Sequence, residues 1–174
     1  MKIFASILGI VGLTIAFLLS NSHANPVEVG AGAPKVKAID QDGKEVDLAA
    51  AYTKGLTLVY FYPKADTPGC TKEACSLRDA FAELKAKGVT VFGVSHDSPA
   101  AQKAFKEKYN LPFTLLADEK GELIQAFGVP ANQLGIAARQ SFLVKDGKIV
   151  WRDLKASTDQ QAKDVLAAVA ALPK

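Results

Sequence analysis

Cysteine, histidine and arginine are all scarce in this 174-residue chain, which has two cysteines, two histidines and only Arg78, Arg139 and Arg152 among its 21 basic residues. Two cysteines exclude a disulfide-dense scaffold, and Cys70 and Cys75 do not make the C-x-x-C of general dithiol oxidoreductases. Against 18 acidic residues the formal charge is +3, or +2 once Lys2 is set aside with a leader. That balance does not suggest nucleic acid. No haem, flavin or nucleotide motif is present, and Gly30-Ala31-Gly32 has neither a preceding strand nor the third glycine of a dinucleotide loop. Asp40 and Asp42 precede Gly43, yet Ala38 and Ala49 stand where a calcium loop needs its first ligand and its bidentate glutamate. No cofactor or metal is therefore expected. With 49% hydrophobic and 22% charged residues and no internal repeat, the composition is that of one ordinary soluble domain.

A permanent membrane span is also disfavoured. As a helix, the apolar run Ile3 to Leu19 reaches about 25 Å, short of a hydrocarbon core of ~30 Å. With Met1 and Lys2 before it and Ser22-His23-Ala24 after it, the run reads as a secretory signal peptide cleaved after Ala24. The mature chain, Asn25 to Lys174, keeps 150 residues (174 less 24), enough to fold without a covalent staple. A periplasmic or secreted location follows, without stable membrane insertion, and disulfides can form there. His23 leaves with the leader. His96, the remaining imidazole, reads as a solvated loop residue at a strand end.

After an alanine- and glycine-rich start, expected to be flexible through Pro34, Lys35 to Ile39 and Glu45 to Leu48 can pair across a turn. Leu56 to Tyr62 is a continuous apolar run, as in a strand buried on both faces, and Pro63 ends it. Thr67 and Pro68 read as N-cap and first helical position of a helix running to Gly88, with the stripe Ala74, Leu77, Phe81 and Leu84. Val89 to Ser95 is a second buried strand. Ser98-Pro99 opens a helix to about Tyr109, Phe113 to Ala117 is a short strand, and Glu122 to Phe127 a short helix. Beyond the loop Gly128 to Ala138, Gln140 to Val144 and Ile149 to Leu154 flank the hairpin signal Asp146-Gly147. Thr158 and Gln161 form a capping box for a closing helix with Ala162, Val165, Leu166, Val169 and Leu172 on its apolar face. This order predicts a thioredoxin-like α/β fold: a mixed central sheet flanked by helices.

On that helix Cys70 falls at the centre of the apolar stripe, and Cys75 lies roughly 140° away, toward solvent or a partner. A helix N-terminus favours an anion beside Cys70. Ionisation alone accomplishes little, however. For any thiol whose pKa falls from about 8.5 to about 6, the thiolate gain of about thirtyfold is offset by about tenfold weaker nucleophilicity. Fast chemistry therefore needs contacts made in the transition state. Thr67, one turn before Cys70, can share the first-turn site or serve as a plain N-cap. Arg139, just ahead of a strand, can reach the sheet's end as a fixed cation, although by residue type each arginine reads as a surface residue.

Pro63-Lys64-Ala65-Asp66-Thr67-Pro68-Gly69-Cys70 resembles the P-x-x-x-T-x-x-C loop of peroxiredoxins. Cys75, five residues on, is similar to the second cysteine of the Q or bacterioferritin-comigratory type. The likeness covers most of Ala33 to Leu172, including Tyr60-Phe61-Tyr62-Pro63, Ser76-Leu77-Arg78-Asp79 and Arg139-Gln140-Ser141-Phe142. It thins across Val129 to Ala138, which lacks the aromatic and basic residues expected there. What the resemblance implies is reduction of hydrogen peroxide and organic hydroperoxides. Cys70 becomes a sulfenic acid, Cys75 condenses with it, Pro63 shields it, and Thr67 and Arg139 hold the peroxide oxygens. A thioredoxin-like dithiol is the implied reductant, with a monomer or a weak dimer as the expected assembly.

Residues five apart in an unbroken helix have Cα atoms about 8.6 Å apart, beyond disulfide reach, so a Cys70–Cys75 bond requires the first two turns to unwind. A permanent disulfide is a rival reading, at about 2 kcal/mol for so short a loop before strain. Two further classes compete with it: exported copper carriers, which use C-x-x-x-C with a histidine, and dithiol oxidoreductases.

Overall fold

The computed structural model describes residues 25–173; the expected leader, residues 1–24, lies outside the described residues. One mixed sheet contains β1 (Lys37–Asp40), β2 (Glu45–Asp47), β3 (Leu56–Phe61), β4 (Val89–Ser95), β5 (Thr114–Ala117), β6 (Gln140–Lys145) and β7 (Lys148–Asp153). Their spatial order is β2-β1-β5-β4-β3-β6-β7. The β3–β4 and β4–β5 pairs are parallel; β1 and β6 run antiparallel to their neighbours. Helices α1 (Leu48–Ala51), α2 (Pro68–Asp79), α3 (Phe81–Ala86), α4 (Pro99–Lys108), α5 (Glu122–Ala126) and α6 (Gln161–Ala171) cover the sheet. The mixed, helix-flanked sheet matches the expectation. Among the described residues no helix is long and apolar enough to cross a membrane.

The unbroken apolar run of β3 reflects burial on both faces. Leu58 and Tyr60 join Leu77, Leu84, Phe105 and Val165 in one cluster, while Val59 and Phe61 join Leu48, Phe127 and Phe142 in the other. Each such side chain contributes roughly 1.5–3 kcal/mol on burial. Gly93 on β4 lets the first cluster close, because a Cβ there would come within 2.7 Å of the Tyr60 ring and hydroxyl.

Topology places the site. The carboxyl end of β3 feeds α2 through residues 62–67, and β6 pairs with β3 so that Gln140 lies opposite Phe61. A residue just ahead of β6 therefore sits at the same end of the sheet as the start of α2. Arg139 occupies that position, 69 residues from Cys70 in sequence.

Four local expectations are corrected. The start of the domain is docked: Gly30 N–H donates to Ile149 O at 2.8 Å, Ile149 N–H to Ala31 O at 2.9 Å, and Ala33 N–H to Gly147 O at 2.8 Å. Backbone groups on the free edge of β7 hold the segment despite its glycines. The long helix is broken at Ala80 (φ −91°, ψ 2°) into α2 and α3, and Phe81 packs against Phe113 with ring centroids 6.1 Å apart. Closing helix α6 begins at Gln161 without the Thr158–Gln161 capping box. The Gln161 amide instead donates to the buried Ser141 hydroxyl, so it cannot reach back to cap. His96 is half-buried, with Nδ1 2.9 Å from the Asp118 carbonyl and its ring pressed under Gly135. By contrast the Asp146-Gly147 hairpin forms as expected, with φ 51° and 73°.

Candidate active site

Cys70 occupies the first turn of α2, 2% exposed, against Ala74, Leu77, Tyr60 and Tyr62 in one core cluster. Pro68, the first helical residue, has no N–H to satisfy, and the N-terminus carries no side-chain cap. The turn thus offers backbone donors and the positive end of the helix dipole beside the sulfur. Arg139 adds a full charge: its Nη2 lies 3.3 Å from Cys70 Sγ. Gly69 lies beside the same guanidinium: a Cβ there would sit in ordinary contact, 3.5 Å from both Arg139 Nη2 and Thr158 Cγ2.

The other arm of Arg139 meets Glu73, whose carboxyl oxygen accepts from Nη1. Glu73 is fully buried, and burial pushes its carboxyl up to about 8 despite the pull of the guanidinium. Burial alone would lower the pKa of Arg139; the negative charge of Glu73 and the contact with Cys70 outweigh it and raise it. The guanidinium is therefore cationic at any working pH. Motif and periodicity do not single out Glu73. It lies three residues after Cys70, inside the apolar stripe, and a carboxylate on that face is the signal that points to it.

Thr67 holds the N-cap position (φ −93°, ψ 153°), but the expected capping bond is not made. Its hydroxyl donates to the Lys64 carbonyl at 3.0 Å, closing the preceding turn and leaving the oxygen lone pairs available as acceptors. Pro63, half-buried, lines a shallow cavity of about 270 Å³ with Lys64, His96, Asp97, Leu134 and Ile136. Cys75 lies on another face of α2. It is half-buried and opens on a groove of about 630 Å³ lined by Lys72, Ser76, Ala80 and Leu166. The structure thus brings Arg139 to Cys70 and turns Cys75 away. Both cysteines are free, within one continuous helix.

A buried polar chain holds the loop that leads into α2. Tyr62 donates to the Gln102 amide oxygen, and the Gln102 amide donates to Ser95 Oγ at 2.8 Å. Ser95 in turn donates to Asp97 at 2.6 Å, and the same Asp97 oxygen accepts from the Ala65 N–H at 2.8 Å. The hydroxyls of Tyr60 and Tyr62 stay protonated, their pKa values raised first of all by burial. Polar residues at strand ends, such as Ser95 and Asp97, give little sequence signal because their partners come from distant elements.

A cysteine at the start of a helix, fed by the central strand of a helix-covered mixed sheet and faced by a guanidinium, defines a thiol site on a thioredoxin-like scaffold. The sequence profile of the AhpC/TSA family matches residues 29–152, and the chain belongs to that family. Among curated relatives, peroxiredoxin Bcp of Escherichia coli is 46% identical over 142 residues, covering 76% of this chain and 90% of the relative. Chloroplastic peroxiredoxin Q of rice is 42% identical over 125 residues, 71% of this chain. The match spans 57% of the length of that chloroplast relative. Of solved structures, peroxidoxin BcpB of Mycobacterium tuberculosis superposes with a TM-score of 0.80 at 31% identity, covering 84% of this chain and 99% of that one. Peroxiredoxin Q of Xanthomonas campestris gives 0.74 at 30% identity, with 85% and 98% covered.

Proposed function

We propose that the protein is a thiol-dependent peroxidase of hydrogen peroxide and organic hydroperoxides, with Cys70 as the attacking sulfur and Cys75 as the resolving one. One observation carries the reading: a fixed cation 3.3 Å from a buried sulfur at an uncapped helix start. Such a constellation stabilises charge that develops during attack, beyond what thiol ionisation supplies. The Cys70 thiolate gives an electron pair to one peroxide oxygen, and the O–O bond breaks. The other oxygen leaves as alkoxide or hydroxide and takes up a proton, and Cys70 becomes the sulfenic acid. Arg139 and the first-turn N–H groups face the developing negative charge, Thr67 holds the peroxide by accepting a hydrogen bond from its O–H, and Pro63 shields the sulfenic acid.

Cys75 sulfur then attacks Cys70 sulfur. The S–O bond breaks, water departs carrying the thiol proton, and a disulfide remains. A thioredoxin-type dithiol returns two electrons and two protons, becoming a disulfide itself. The curated names of the relatives support this reading. In rapid mixing of the reduced protein with hydrogen peroxide and an alkyl hydroperoxide, thiol loss is expected to be orders of magnitude faster than for a small free thiol. A rate no faster than that thiol overturns the proposal.

Its place of action is proposed to be the cell envelope or the exterior, supported by Met1-Lys2 and the apolar run before Ala24. Expressed from the full reading frame, the protein is expected in the envelope fraction with an intact mass starting at Asn25. Full-length protein confined to the cytosol refutes export.

A further inference from the structure

Both ends of the reactive helix are tied to one residue outside it. On the amino side, Asp66 Oδ1 accepts from the Tyr109 hydroxyl at 2.7 Å, and the same carboxylate accepts from Lys108 Nζ at 2.7 and 2.9 Å. On the carboxyl side, Arg78 Nη1 donates to the Tyr109 carbonyl at 3.0 Å. Between these pins lie residues 67–77, which include both cysteines. Tyr109 is itself well anchored at the end of α4. Its N–H bonds the Phe105 carbonyl at 3.3 Å, its ring meets Phe105 edge-on at 5.4 Å, and Lys108 Nζ lies 5.2 Å over its face.

The amino-side pin also holds an unfavourable backbone. Asp66 has φ 58°, the left-handed region that an L-residue with a side chain enters reluctantly. Its carboxylate bonds keep it there, immediately before Thr67 and Pro68. Were they lost, Asp66 would relax toward extended geometry and carry the start of α2 with it. That motion runs in the direction the resolving step needs, because Cys70 and Cys75 cannot meet while the first two turns are helical.

We propose that Tyr109 is a positioning residue for resolution: by pinning Asp66 and Arg78 to the end of α4 it sets how rarely α2 unwinds, and hence how long the Cys70 sulfenic acid persists. The inference rests on the thiol-peroxidase reading. It separates two steps that share a sulfur, since peroxide attack uses the folded helix and disulfide formation the unwound one. Removing a pin raises the small unwound population while the folded form stays dominant. Loss of one charge-assisted hydrogen bond corresponds to about a tenfold change in that equilibrium.

The test is double-mixing kinetics on Tyr109→Phe, which keeps the ring and backbone and removes the hydroxyl, and on Asp66→Ala, which removes the carboxylate and keeps the cost of positive φ. Hydroperoxide is added first, and sulfenic acid formation and disulfide formation are timed separately. Sulfenic acid formation is expected within twofold of wild type, and disulfide formation about tenfold faster in both variants. In the reduced variants the Thr71 amide, bonded to the Thr67 carbonyl at 2.8 Å, is expected to exchange faster by a similar factor while α3 amides do not change. An unchanged disulfide-forming step overturns the inference and leaves the peroxidase reading intact; so does a parallel change in both steps, which marks a merely structural residue. If wild-type Cys70 forms no sulfenic acid, both readings fall together.

Discussion

Cys70→Ser is expected to abolish hydroperoxide consumption, whereas Cys75→Ser is expected to consume one equivalent and stop, its mass increased by one oxygen. The contrast follows from what surrounds each sulfur. Cys70 is 2% exposed at the helix start with the guanidinium beside it; Cys75 sits on another face, outside that arrangement. A serine at 70 keeps the volume but is a far poorer nucleophile near neutral pH than a thiolate. A serine at 75 leaves attack untouched and removes the sulfur that would displace oxygen from the sulfenic acid. With one equivalent of hydroperoxide and no reductant, the expected product of Cys75→Ser is the sulfenic acid, which only a second equivalent converts, slowly, to the sulfinic acid. Residual steady turnover in Cys70→Ser would refute the assignment of the attacking sulfur. Multiple turnovers by Cys75→Ser at the wild-type rate would rule out an obligatory Cys70–Cys75 disulfide.

How these residues come together is only partly legible in the sequence. The strands and most helices follow from local patterns: the apolar run of β3, the Ser98-Pro99 start of α4, the Asp-Gly turn between β6 and β7. The inward and outward faces of Cys70 and Cys75 follow from helical periodicity alone. Long-range polar partners do not. The Thr67 hydroxyl turns back to Lys64, and Gln161 turns into the core toward Ser141, because a buried or loop-closing acceptor competes with a helix N-terminus. Nor does any local pattern say that Phe61 lies opposite Gln140, and on that register rests the meeting of Arg139 with Cys70. Docking of residues 30–33 on β7 is another tertiary effect, made by backbone hydrogen bonds to a sheet edge and by burial of Ala33 in the core.

Removing the guanidinium is the second large perturbation. Arg139→Met is expected to slow sulfenic acid formation at pH 7 by about 10²–10³-fold, the usual effect of losing one donor to a developing oxyanion. The variant is expected to fold. Burial has raised the Glu73 carboxyl to about 8, so at pH 7 that group is mainly neutral, and the deletion strands no full negative charge in the interior. Arg139→Lys, which keeps a charge without the two-armed fork, should recover only part of the rate, because one ammonium cannot serve both Glu73 and the sulfur as the guanidinium does.

The same carboxyl gives the site a pH dependence of definite sign. Below about 8 Glu73 is protonated and the charge of Arg139 is directed at the sulfur. As pH rises through that value Glu73 ionises, and a second anion shares one cation while the reaction is pushing negative charge onto the departing oxygen. The rate constant for peroxide attack in wild type is therefore expected to drop relative to that of Glu73→Gln as pH rises through about 8. Stability moves in the same direction. A carboxyl whose folded pKa lies above its ordinary 4.5 stabilises the fold fully below that ordinary value and loses the contribution as pH climbs to about 8. Wild type should thus lose melting temperature relative to Glu73→Gln across this window, and an identical pH profile for the two proteins would show that Glu73 does not titrate there. The paired measurements also distinguish the cation's two roles: a rate loss in Arg139→Met without a matching loss of stability assigns the guanidinium to the transition state rather than to the fold.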